Sequence, residues 1–160
     1  MNIGVKDERA MFGAGCFWGV EHAFRQMDGV LETSVGYSGG HVNGANYKEV
    51  CSGETGHAEV VFIRFDPSRI EYEDLVRSFF ELHDPTQLNR QGPDVGTQYR
   101  SAIFYFDEKQ RELAQATKEA LQPAFNNNIV TEVTVAGPFW EAEEYHQQYL
   151  EKKGVSSCRI

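Results

Sequence analysis

The chain has 160 residues, enough for one ordinary domain to bury most of its apolar surface without disulfide or metal support. Its 41% hydrophobic and 24% charged content is that of a soluble globular protein, and a net charge of −9 with no basic cluster argues against nucleic acid or anionic membrane as a partner. No apolar run has signal-peptide or membrane-spanning length, and three cysteines, an odd number, argue against a structural disulfide framework, so the chain reads as cytoplasmic.

Residues 9–14 have the character of a short strand. Phe17, Val20, Phe24 and Met27 then recur at helical spacing until Asp28-Gly29 closes the helix. Between the two lies Gly13-Ala14-Gly15-Cys16-Phe17-Trp18-Gly19. Cys16 falls at the start of the helix, where unpaired N–H groups and the positive end of the dipole favour a thiolate. The glycines let the chain turn sharply and leave the sulfur open, and of the two aromatics one can pack inward while the other walls a pocket. A small buried hydrophobe is the alternative for Cys16, but this setting favours a reactive thiol.

Leu31, Thr33, Val35 and Tyr37 alternate with polar or small residues, the pattern of a half-buried strand. Residues 38–56 form a long Gly-, Asn- and Ser-rich loop of the kind that more often carries function than not. Residues 57–65 are apolar on both faces, with Glu59, Val61, Ile63 and Phe65 on one and Ala58, Val60 and Phe62 on the other, and predict a central strand. Tyr72, Leu75, Val76 and Phe79 mark a helix running to about residue 83, followed by a second long loop, 84–98. Residues 101–106 predict another central strand. Asp107 caps a helix with Leu113, Ala116, Ala120 and Leu121 on its inner face; residues 131–136 predict a strand nearer an edge, and 141–153 a last helix. Residues 155–160 form a flexible tail. This order predicts a single α+β domain over residues 1–160, a two-layer sandwich on a ferredoxin-like split βαβ core with a mixed or antiparallel sheet, extra helices and long loops.

Glu59 begins an apolar strand face. Desolvation there favours the protonated carboxyl, which can serve as a general acid, although a strand-end glutamate that simply reaches solvent fits the pattern equally. Tyr37, Tyr47 and Tyr99 flank the long loops and Asp94 lies in one of them; each is either a hydrogen-bonding group for a polar ligand or an ordinary structural residue. The five histidines make no convincing metal set: Glu54-x-x-His57 and Glu143-x-x-His146 match a di-iron spacing, but the first contains Gly56 and the four-helix pattern is missing. Cys51 has no activating neighbour in sequence. Cys158 sits past the last helix, and the four residues from Gly154 span at most about 14 Å, so it either approaches a neighbouring site or is an exposed tail cysteine.

Four stretches together resemble the A-type peptide methionine sulfoxide reductases: Gly15-Cys16-Phe17-Trp18-Gly19, Gly56-His57-Ala58-Glu59-Val60-Val61, Gln91-Gly92-Pro93-Asp94-Val95-Gly96-Thr97-Gln98-Tyr99-Arg100-Ser101, and Ala142-Glu143-Glu144-Tyr145-His146-Gln147-Gln148-Tyr149-Leu150. The likeness covers nearly the whole chain. It implies Cys16 as the nucleophile toward the sulfoxide sulfur, Phe17 and Trp18 as the seat for the substrate methyl group, and Glu59 as the acid for the oxygen. It further implies Tyr47 and Tyr99 as donors to that oxygen and Asp94 as a residue that orders the site. The implied substrates are S epimers of methionine sulfoxide, free or in peptides and oxidised proteins. No cofactor is implied beyond an external dithiol, thioredoxin, and the expected state is a monomer. Sulfenic acid chemistry calls for a second thiol; tail position assigns it to Cys158, with Cys51 or an external thiol as the alternative. Family members differ in their recycling cysteines, and the glycine-rich tail of several is missing here.

Two rival classes remain at the level of sequence. One is a Cys–His acyl hydrolase or transferase using His57 or His22 with Cys16. The other is a redox sensor or peptide-binding module whose aromatics grip methionine-like side chains.

Overall fold

A computed structural model describes residues 7–153, so Cys158 and the expected tail lie outside the described residues. In chain order the elements are β1 (Glu8–Ala14), α1 (Phe17–Arg25), β2 (Val30–Ser38), α2 (Tyr47–Cys51), β3 (Ala58–Phe65), α3 (Tyr72–Leu82), β4 (Arg90–Gln91), β5 (Asp94–Val95), β6 (Ser101–Tyr105), α4 (Glu108–Leu121), β7 (Glu132–Val135), β8 (Trp140–Glu141) and α5 (Tyr149–Lys153). Short 3₁₀ turns occupy Thr97–Tyr99, Gln122–Phe125 and Glu144–His146.

Six strands form one sheet in the order β7-β6-β1-β3-β2-β8. The inner four, β6-β1-β3-β2, are antiparallel throughout. With α1 between β1 and β2 and α3 between β3 and β6, they are the split βαβ core that the alternation of strands and helices predicts. β7 extends one edge in parallel with β6, and β8 extends the other beside β2. Strands β3 and β6 are internal because both of their faces bury side chains. On one face Phe12 stacks on Phe24 and Phe79 at centroid distances of 5.4 and 5.2 Å; on the other, Met11, Ala58, Val60, Ala102 and Phe104 form a second buried cluster. Truncating a ring such as Phe12 in a core of this kind costs about 3–5 kcal/mol.

Three expectations need correction. Residues 141–153 are not one helix: Glu141 pairs with Gly36 on β2, Gln148 takes a left-handed φ of 48°, and only α5 is α-helical. The Gln147 side chain replaces helical pairing with sheet pairing. Its Oε1 accepts from the Val35 N–H at 2.8 Å, and its Nε2 donates to the Val35 and Ala142 carbonyls at 2.9 Å each. The inner face of α4 is set by Gln110, Ala114 and Thr117, while Ala116 and Ala120 are exposed. Gln110 moves inward because its amide joins the Arg9 carbonyl (2.7 Å) to the Phe106 N–H (3.0 Å). Leu31 is 40% exposed rather than inward, because the β2–β3 register shifts between Val30 and Glu32.

His83, just past α3, ties that helix to the sheet. Its Nδ1–H donates to the Phe79 carbonyl (2.8 Å) and its Nε2 accepts from the Ser101 hydroxyl (2.7 Å), which in turn lies 2.7 Å from Thr131 Oγ1. Burial lowers its pKa from 6.5 to about 4, against the Phe79 carbonyl and Asp84, which raise it. Between pH 6.5 and 4 the unfolded chain therefore binds a proton that the folded chain refuses. The associated stability, about 3 kcal/mol, is fully present above pH 6.5 and is lost as pH falls toward 4. Urea unfolding of the parent and of His83→Gln over that range should show this loss in the parent only; equal losses in both would remove His83 from the acid response.

Candidate functional site

The site forms where β1 ends and α1 begins. Gly15 makes the turn with φ +95°, and a Cβ there would come within 2.9 Å of Gln91, so the β4–β5 hairpin packs directly against the turn. Cys16 is the N-cap residue of α1 and is half-buried, and the first turn of the helix holds no acidic side chain to oppose a thiolate. Glu59, on β3, is 2% exposed. Its Oε1 accepts the backbone N–H of Phe17 at 3.2 Å, which ties the carboxyl to the residue immediately after Cys16. Residues 16 and 59 thus share one helix turn at the same end of the sheet.

Phenols surround the pair. Tyr37 lies directly opposite Glu59 in the β2–β3 register, is fully buried, and donates to Glu143 Oε1 at 3.1 Å. Tyr47 opens α2, a short helix inside the first long loop, held by an Asn46–Glu49 capping box. Burial, a hydrogen bond with Cys51 and the nearby Glu59 all push the Tyr47 phenol well above its ordinary pKa. Burial and then Glu59, with Cys51, Asp94 and Cys16, do the same for Tyr99. Both phenols are therefore neutral hydrogen-bond donors at any physiological pH. Asp94 lies half-buried on β5, paired with Gln91. Cys51, one turn along α2 from Tyr47, is pushed up chiefly by burial and also by Glu59 and Glu143, against the Tyr47 bond, which keeps it a thiol.

The aromatic pair divides as its spacing predicts. Phe17 is 1% exposed and packs inward against Tyr37 and His146, with centroids at 5.8 and 5.2 Å. Trp18 is half-buried; its indole N–H donates to His146 Nδ1 at 3.0 Å and its ring stacks on Tyr149 at 3.8 Å.

The fold therefore gathers Cys16, Glu59, Phe17, Trp18, Tyr47, Asp94 and Tyr99 around one turn, while Cys158 lies outside the described residues. His57 does not serve the Cys–His alternative: its Nδ1 accepts the Gly40 N–H (2.9 Å) and its Nε2 faces the Val42 carbonyl (2.6 Å). His22 lies six residues along α1 from Cys16, on the other side of the helix. Among the described residues no group of three or more His, Cys, Asp or Glu side chains could hold a metal ion, and no helix is long and apolar enough to cross a membrane. Residue-by-residue reading missed the Glu143–Tyr37 pair and the His146 partner of Trp18. The signal for them was the fourth motif, which contains Glu143 and His146.

The family model for peptide methionine sulfoxide reductase matches residues 8–160, and the chain belongs to that family, a group of thiol-dependent oxidoreductases that reduce methionine sulfoxide to methionine. Within it, the similarity is to the A type. The MsrA of Methanothermobacter thermautotrophicus is 57% identical over 155 residues, 96% of this chain and 92% of the relative. That of Acidobacterium capsulatum is 56% identical over 95% of this chain and 99% of its own. The reduced form of Mxr1 from Saccharomyces cerevisiae superposes with a TM-score of 0.89 at 37% identity, covering 96% of this chain and 92% of that one. Mxr1 in complex with Trx2 matches with a TM-score of 0.67 at 29% identity, over 90% and 85% of the two chains.

Proposed function

We propose that Cys16 is the nucleophile and Glu59 the acid in the reduction of methionine S-sulfoxide, with Trp18 and Phe17 seating the methyl group, Tyr47 and Tyr99 donating to the oxygen and Asp94 ordering the rim. The observation that carries this reading is the bond from the Phe17 N–H to Glu59 Oε1, which puts the carboxyl beside the thiol's own helix turn. A sulfoxide is a poor electrophile until its oxygen is protonated or hydrogen-bonded, so the chemistry needs a proton donor next to a thiolate. Burial of Glu59 penalises its charged form and so favours that role. The Cys16 thiolate attacks sulfur while the carboxyl protonates oxygen. The attack forms a sulfur–sulfur bond; as that bond and the substrate S–O bond break, the hydroxyl passes to Cys16 as a sulfenic acid and methionine leaves.

A second thiol then condenses with the sulfenic acid, releasing water and forming a disulfide, and an external dithiol exchanges with that disulfide. Position in the chain favours Cys158 as this thiol. Cys51, exposed on α2, is the alternative. The Trx2 complex of the yeast relative supports a thioredoxin as the dithiol, and a transient disulfide of this kind suits a monomer working in a reducing cytoplasm.

The test is stoichiometric. Reduced protein given a peptide with the separated epimers should form one methionine and lose two thiols with the S epimer and do neither with the R. Cys158→Ser should still release one methionine but cease to turn over with thioredoxin. Normal cycling by that variant would return the resolving role to Cys51 or to an outside thiol.

A further inference from the structure

The fourth sequence motif, residues 142–150, takes no part in the reaction described above. The Ala142 N–H donates to the Val35 carbonyl at 2.9 Å, and the Gln147 amide brackets the same residue of β2. The backbone that carries Glu143 is therefore pinned to the sheet on both sides of that residue.

From this fixed point the Glu143 carboxylate reaches the walls of the site. Its Oε2 accepts the Tyr47 N–H at 3.1 Å, at the first residue of α2. Its Oε1 accepts the hydroxyl of Tyr37, the phenol opposite Glu59, and stands 4.0 Å from His146 Nε2. Because His146 Nδ1 accepts the Trp18 indole N–H, the proton of the neutral ring belongs on Nε2, the nitrogen nearer Glu143. Burial opposes ionisation of Glu143, but its hydrogen bonds from Tyr47 and Tyr37 hold its pKa below the ordinary carboxylate value.

We propose that Glu143 is a positioning residue for the reductase reaction: by anchoring the start of α2 it holds the Tyr47 hydroxyl at a fixed distance from the Trp18 wall, so that oxygen donor and methyl seat meet one substrate together. α2 has five residues and follows a glycine-rich loop, so its own hydrogen bonds cannot fix its place. An external tie at its first N–H does, and an error of about 1 Å in a donor is enough to cost roughly a hundredfold in rate. The inference rests on the donor role given to Tyr47 above.

A double-mutant cycle on single-turnover formation of N-acetyl-methionine from its S-sulfoxide tests it, using Glu143→Gln, Tyr47→Phe and the pair. Glu143→Gln keeps the side-chain length, but its amide can no longer accept at both oxygens; the rate should fall roughly 10- to 30-fold. On the Tyr47→Phe background the same change should cost less than about twofold, because the group it positions is already gone. Glu143→Asp, which keeps the charge and withdraws both oxygens, should behave like Gln and serves if the amide variant folds poorly. A full Glu143→Gln loss on top of Tyr47→Phe, or no loss in the parent, overturns the inference while leaving Tyr47 as donor. A Tyr47→Phe chain as fast as the parent removes the donor role itself and the inference with it.

Discussion

Glu59→Gln should slow methionine formation about a hundredfold, within the range general acids contribute, with little change in KM. The amide has the shape of the acid and keeps an oxygen for the Phe17 N–H, so the carboxyl's tie to the α1 turn survives. What it lacks is a proton to give. On the roles proposed above, the phenols of Tyr47 and Tyr99, which stay neutral, would still donate to the sulfoxide oxygen in such a variant, so loss of the proton source should slow the step without ending it. Rapid-quench single turnovers over a range of substrate concentrations separate the two quantities. A parent-like rate at saturation, or a defect confined to KM, would mean that Glu59 only binds.

The larger effect belongs to Cys16→Ser, which should fall below about one part in ten thousand of the parent rate, on the scale of losing a nucleophile elsewhere. A serine at the N-cap is structurally welcome, and can even accept from a first-turn N–H, so the variant should fold at least as well as the parent. Its hydroxyl is not ionised at neutral pH and does not take up the sulfoxide oxygen. In a Cys158→Ser background, a cyclic 1,3-dione should trap a sulfenic acid at residue 16 after one equivalent of S-sulfoxide, and nothing should be trapped when residue 16 is also serine. Stoichiometric methionine with the label on Cys51 instead would move the nucleophile.

Much of this architecture is legible in local pattern, because strands buried on both faces leave little ambiguity. Ala58 to Phe65 is apolar at nearly every position and lies between β1 and β2, while Glu132 to Val135, with its polar face, is the edge. Cys16 and Glu59 stand out in the sequence for a related reason: each breaks the rule of its surroundings, a sulfur among glycines and a carboxyl on a greasy face, and the fold brings them to one turn. What the pattern hides is tertiary. α2 disappears into a Gly-rich loop, although Asn46 and Glu49 have the spacing of a capping box. Residues 141–153 have helical composition, yet sheet pairing by Glu141 and the Gln147 amide outcompetes the helix, and neither partner is near in sequence. The partners of Glu143 are hidden for the same reason, since Tyr37 and Tyr47 lie 106 and 96 residues away.

The bracket that Gln147 places on Val35 has a further consequence for an enzyme that reduces methionine sulfoxide. An outermost strand normally offers a ladder of vacant amides onto which a loose chain can zip, the first step toward clumping. Here one side chain occupies the rungs beside Gly36, and β8 takes the next two positions. Along that stretch of β2 a loose chain finds no vacant amide to pair with.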